Sequence, residues 1–257
     1  MIAPLSCIVA QLTATSTHSI VSILRPCHTT VMSIHRIVDV ATAALDALAP
    51  RRCAGCGLAA RGDVCEACLE LALSLRQPEP RRLRFGAAHA ALPFEPPVRA
   101  IVHHAKYRGR RGAAAVLGAL VVERLWLTLT AAPRPPGLLV VPVPLGPRRR
   151  RARGYNQAAL LAAALAREAG APLSPPQHAV RLRDTGAQVG RSRPDRAANV
   201  AGAFAWQGPP LGGATVWLVD DVVTTGATLD AAATALQQAG AARIEGVAAA
   251  MAGARAA

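Results

Sequence analysis

The chain has 257 residues, and its 29 Lys+Arg against 15 Asp+Glu give a formal net charge of +14. At about 150 residues per domain, that length suggests one domain with an appendage or two small ones. The apolar fraction of 52% is too high and too patterned for a disordered chain; there is no unbroken apolar run of about 18 residues to mark a transmembrane helix, and no period of about 20–50 residues to mark a solenoid.

Residues 1–31 carry a single charged side chain, Arg25, and have neither a basic stretch ahead of the apolar residues nor a small-residue cleavage site. The expectation is an extension, either disordered or the product of a start assigned too early, in which Cys7 and Cys27 have no specific role. From Met32, the residues Ile34, Ile37, Val38, Ala41, Leu45 and Leu48 recur at helical spacing. Residues 32–80 therefore read as a helix followed by a cysteine cluster, with 77–84 as a linker, and 81–257 as an α/β domain.

The cluster is Cys53-Ala-Gly-Cys56-Gly57 and Cys65-Glu-Ala-Cys68, two C-x2-C pairs separated by eight residues. Four thiolates so spaced suit a tetrahedral structural zinc site, and Gly57 permits the tight turn behind the first pair. Disulfides or a redox pair are the alternatives, and disulfides are disfavoured in the cytoplasmic location expected of this chain.

Residues 81–156 hold 14 Arg and Lys106, the only lysine, against Glu95 and Glu123, a net of +13 out of +14. An excess this local predicts an anionic partner, namely phosphate, pyrophosphate or nucleic acid; a solvated basic surface is the alternative. Within the stretch, Leu138–Val143 reads as a buried strand, and 148–153, five arginines in six residues, as a strand-to-helix loop. Tyr155–Ala169 reads as a helix stopped by Gly170. Residues 183–203 lack periodicity and read as a long loop of the kind that often carries function. Ala214–Val219 reads as a second buried strand, Ala227–Ala239 as a helix ended by Gly240, and Ile244–Ala250 as a further strand. The alternation indicates a parallel α/β sheet.

Asp220 and Asp221 follow the Ala214–Val219 strand, and Val222-Val223-Thr224-Thr225-Gly226-Ala227-Thr228 leads into the next helix. Open N–H donors and the helix dipole suit a phosphate there, and Gly226 allows close backbone approach. The paired carboxylates suit a sugar diol, which donates two hydrogen bonds. One ligand with both features is a ribose 5-phosphate. The alternative is a plain strand-to-helix turn with Asp as its cap.

This stretch resembles the phosphoribosyl pyrophosphate (PRPP) motif of type I phosphoribosyltransferases. Val141-Pro142-Val143-Pro144-Leu145, with Arg153-Gly154-Tyr155-Asn156-Gln157 further on, resembles the signature of the ComF family, as do Arg183, Thr185, Gln188, Arg196, Asn199, Gly202, Ala203 and Phe204. Lys106 and Tyr107 stand where that family often has a Lys-Tyr pair. The chain departs from the family at Gly146, often His, and at Arg191, often Leu.

The resemblance implies a type I phosphoribosyltransferase fold with an N-terminal four-Cys zinc ribbon. It implies PRPP held with Mg²⁺, the ribose 5-phosphate at Asp220, Asp221, Thr224, Thr225, Gly226, Ala227 and Thr228. Pyrophosphate would meet Arg148, Arg149, Arg153 and Gly154, and Arg183, Thr185, Gln188, Arg196 and Asn199 would belong to a lid loop. Catalytic residues and the acceptor, expected to be nucleobase-like, stay open. ComF relatives are associated with DNA uptake in natural transformation, so two other readings stand beside the enzyme: an accessory that binds single-stranded DNA or a competence helicase, and a PRPP-sensing regulator. No membrane association is expected.

Overall fold

A computed structural model describes residues 51–130, 137–183 and 202–253. Its elements in chain order are α1 (Glu66–Ser74), β1 (Arg81–Leu83), β2 (Gly86–Pro93), α2 (Val98–Tyr107), α3 (Arg111–Leu129), β3 (Leu139–Pro142), α4 (Pro147–Arg153), α5 (Gln157–Ala169), β4 (Ala179–Arg181), β5 (Phe204–Trp206), β6 (Thr215–Val223), α6 (Ala227–Gln238) and β7 (Arg243–Met251). Five strands form one mixed sheet in the order β1-β2-β7-β6-β3, in which only β1 is antiparallel to its neighbour. β4 and β5 form a separate antiparallel ribbon.

The sheet is covered on both faces, which is why its strands are almost wholly apolar. Along β6 the side chains alternate between two layers. Trp217 and Val219 enter a core built with α2, α3 and α5, whereas Val216 and Leu218 enter one built with α6 and Phe204.

Three expectations are corrected. Residues 81–83 of the expected linker form β1, paired through Arg81↔Ala88 and Leu83↔Gly86. The basic segment is a helix, because Pro147 stands in its first turn and Gly154, at φ 73°, closes it. β6 runs on through both aspartates to Val223, because β7 continues to pair with it as far as Val223↔Met251. Among the described residues one helix, α3, is long and apolar enough by length and composition alone to cross a membrane, a test that the core helix of a globular protein also passes. Glu123-Arg124 interrupts its apolar run in the sequence, and in the fold Ala113, Ala114, Leu117, Leu120, Val121 and Leu125 are core residues.

Two arginines fasten the cysteine segment to this body. Arg110 donates to Asp63 Oδ1 through Nε at 2.9 Å and pairs with it through Nη2 at 2.8 Å, while its Nη1 donates to the Arg52 carbonyl. Gly112 is required beside that pair, since a Cβ there would lie 1.6 Å from Asp63 Oδ2. Arg124 donates to the carbonyls of Leu73 and Leu75, at 2.7 and 2.8 Å, and so satisfies the open end of α1. Arg110→Ala strands the half-buried Asp63 carboxylate and is expected to lower stability by about 1–3 kcal/mol in urea denaturation.

Candidate phosphate, diol and metal sites

The four cysteines are free thiols whose Sγ atoms all lie within 4.8 Å of one another. The Cys56–Cys65 separation of 3.7 Å matches the edge of a tetrahedron with Zn–S bonds of about 2.3 Å, which is about 3.8 Å. Burial raises the Cys53 thiol, but the backbone N–H groups of Cys65, Cys56 and Gly55 outweigh it and bring its pKa to about 6. Burial and the neighbouring sulfurs push Cys68 the other way. A closed set of four sulfurs fits structural zinc and leaves no open position for catalysis.

At the far end of β6 the geometry is set by where β3 stops. The last β3 pair is Pro142↔Val219, followed by one bond from Val143 N–H to the Val219 carbonyl. Beyond it the Asp221 N–H has no strand to meet, and it donates to Asp220 Oδ1 at 2.8 Å. Asp221 continues the row of Trp217 and Val219 toward α2 and α5 and is only 4% exposed. There Lys106 Nζ pairs with its Oδ1 at 2.9 Å, and Gln157 Nε2 donates to its Oδ2 at 2.7 Å. Asp220 occupies the other row and keeps some exposure. Desolvation, then the Asp221 charge, push its pKa up to about 7 against the opposing pull of Lys106, the Asp221 N–H and Arg181.

After Val223 the chain turns through Thr224, Thr225 and Gly226 into α6. Gly226 has φ 88°, and a Cβ there would lie 2.2 Å from Leu83 Cδ2, so both conformation and space call for glycine. No side chain caps α6, and only the 3.4 Å contact from Ala227 N–H to Thr225 Oγ1 engages its first turn. The first-turn N–H groups of α6 therefore have no side-chain cap, and this threonine-rich turn can serve as an anion cradle.

Residues 143–157 link the two regions. Asn156 Oδ1 caps α5 by accepting from Ala158 N–H, and its Nδ2 donates to the Val143 carbonyl at 2.9 Å, which ties the helix start to the end of β3. The Tyr155 hydroxyl donates to the Ala105 carbonyl of α2. Arg153 lies over the Tyr107 ring, 5.0 Å from its centroid, and Arg111 over the Tyr155 ring at 5.3 Å. Arg148, Arg150 and Arg151 are exposed, whereas Arg149 and Arg153 are half-buried.

Of the lid residues only Arg183 is described, and its carbonyl accepts from Arg181 Nε at 3.3 Å. Thr185, Gln188, Arg196 and Asn199 lie outside the described residues. Sequence reasoning missed Lys106 and Gln157 as partners of Asp221, and Arg181 as a charge acting on Asp220. Lys106 did carry a signal: it is the one lysine of a chain that otherwise uses arginine, and it stands where ComF relatives often have a Lys-Tyr pair.

A largely parallel sheet with an acid pair running into a threonine-rich anion cradle defines a protein of the phosphoribosyltransferase class, and the phosphoribosyl transferase domain family matches residues 156–256. Two proteins called DNA utilization protein YhgH are similar along much of the chain. The one from Salmonella typhi is 34% identical over 152 residues, which cover 59% of this chain and 66% of that protein, just under two thirds of it. The one from Escherichia coli O6:H1 is 33% identical over 207 residues, 75% of this chain and 87% of that protein. The chain belongs to the ComF/GntX family of phosphoribosyltransferase-domain proteins.

The cysteine cluster predicts one zinc ion per chain by elemental analysis, and thiolate-to-metal bands of a tetrahedral site on cobalt substitution. Cys68→Ser should abolish both and lower the unfolding temperature.

Proposed function

We propose that the protein binds Mg²⁺-PRPP and transfers its phosphoribosyl group to a nucleobase-like acceptor with release of pyrophosphate. The observation that carries this reading is the continuity of β6, from the acid pair Asp220–Asp221 into the cradle of Thr224, Thr225, Gly226, Ala227 and Thr228 at the start of α6. A phosphate in the cradle and a ribose hydroxyl on Asp220 would be two ends of one ribose 5-phosphate; Asp221, buried in the opposite row with both oxygens engaged by Lys106 and Gln157, does not meet the diol as the sequence led us to expect. Arg148, Arg149 and Arg153, with the turn at Gly154, supply positive charge for the pyrophosphate, and Mg²⁺ bound with PRPP would add to the neutralisation of that leaving group.

Breaking the C1–pyrophosphate bond builds oxocarbenium character on the ribose, as in glycoside chemistry. The chain's part is to hold the 5-phosphate and the diol so that C1 is fixed, and to stabilise the departing charge with arginine forks. Arg181, 9% exposed and set over the Phe204 ring at 5.1 Å, adds a cation on the Asp220 side.

A second reading rests on the exposed arginines of α4, more than one pyrophosphate requires, and on the relatives' name, DNA utilization protein. In it the α4 surface binds single-stranded DNA, with PRPP as ligand or signal.

Calorimetry with PRPP and Mg²⁺ tests the first reading. Binding should need the metal and fall at least about tenfold in Asp220→Asn; no binding to the zinc-loaded protein would exclude it. For the second reading, replacing Arg148, Arg150 and Arg151 with Ala should reduce the slope of log K against log salt for single-stranded DNA by up to about 2. An unchanged slope removes α4 from that surface.

A further inference from the structure

The acid pair has a third member. Lys106 stands in the last turn of α2, and its Nζ meets Asp221 Oδ1 while Gln157 Nε2, from the first turn of α5, meets Oδ2. Both oxygens of a buried carboxylate are therefore engaged by groups from two helices. Asp221 is thereby held in place, and a positive charge stands beside two adjacent carboxylates. Asp220 shares its strand, Arg181 acts from β4, and the Tyr155 phenol lies within the field of Asp221.

We propose that Lys106, together with Gln157, is the positioning residue of the ribose site: the two side chains fix both oxygens of the Asp221 carboxylate and place a positive charge beside the acid pair. This rests on the PRPP reading. The physical need follows from the neighbours. Two carboxylates side by side disfavour ionisation of both, and burial adds to this, so a protonated Asp220 would offer the diol a donor where an acceptor is wanted. Asp220 sits near that balance already, at about 7, with Lys106 pulling it down. Arginine is a poor substitute, because its planar fork would claim both Asp221 oxygens and displace Gln157. Lysine supplies the same charge through one contact.

Charge and position can be separated by comparing Lys106→Met and Lys106→Arg with the wild type, all zinc-loaded and checked for folding by thermal unfolding. Carbon-13 NMR of the Asp220 carboxyl should show it titrating about 1 pH unit or more higher in Lys106→Met, and close to wild type in Lys106→Arg. Calorimetry with Mg²⁺-PRPP from pH 6 to 9 should show wild-type affinity strengthening as pH rises through 7, because the ionised Asp220 accepts on both oxygens with the strength of a charged group, whereas the protonated form turns one of them into a donor. The Lys106→Met affinity should be about tenfold weaker at pH 7, with the gap narrowing by pH 9. Lys106→Arg should correct the pH profile while staying weaker than wild type throughout.

An unchanged Asp220 titration in Lys106→Met overturns the proposal. So does a PRPP affinity reduced by the same factor at every pH, the mark of a purely structural residue. Failure of the wild type to bind Mg²⁺-PRPP at any pH would remove the proposed function instead, and the Asp220 titration would still decide whether Lys106 governs the pair.

Discussion

A carboxylate that is 4% exposed must have partners, since removing an ionised group from water costs several kcal/mol unless charge and hydrogen bonds replace the solvent. Asp221 finds them in Lys106 and Gln157, and to provide them the chain brings the end of α2 and the start of α5 together over the last third of β6. Much of the local architecture follows from that meeting. α5 must begin at residue 157, which makes Asn156 its cap and ties it to the end of β3. α2 must end beside it, and the Tyr155 hydroxyl fastens that end by its bond to the Ala105 carbonyl. The short β3 leaves the space in which the aspartates turn from ladder partners into functional groups.

The positive charge of the chain divides by structural duty. Arg110 and Arg124 dock the cysteine segment onto α3, Arg81 donates to the Ala252 carbonyl beside the end of β6, and Arg243 pairs with Glu245. These arginines are internal fastenings and say little about ligands. The helix α4 is different. It buries no residue; Arg153 stacks over Tyr107, while Arg148, Arg150 and Arg151 are exposed. Net charge in the sequence could not separate the two populations, because a guanidinium bound to a backbone carbonyl and one facing solvent count alike.

The sheet, its direction and the cradle were readable in the sequence because each leaves a local mark: continuous apolar runs for strands buried on both faces, Gly170 and Gly240 after helices, and small hydroxylated residues around Gly226. The cysteine spacing was equally local. What escaped reading was non-local. β1 is three residues long and exists because β2 offers it an edge. β6 passes through Asp220 and Asp221 because β7 keeps pairing there, which two adjacent acids alone do not suggest. The ion pair of Lys106 with Asp221 joins residues far apart in sequence, and nothing near Lys106 names its partner.

The metal site and the acid pair are joined by packed side chains. The cysteine segment is held at Asp63 by Arg110, and the next residue, Arg111, lies over Tyr155. Tyr155 holds Ala105, whose neighbour Lys106 holds Asp221. Each link is a contact with its own physical reason, whether ion pair, cation–π contact or hydrogen bond. The four clustered cysteines lie in the segment that Arg110 grips, and Arg110 stands at the N-cap position of the helix from which Arg111 reaches Tyr155. The four-cysteine segment is thereby part of the scaffold that sets where Lys106 stands. A compact ammonium that holds one oxygen of a buried carboxylate needs the backbone carrying it to be fixed, and the contact of Tyr155 with Ala105 supplies that at the end of α2 nearer the site.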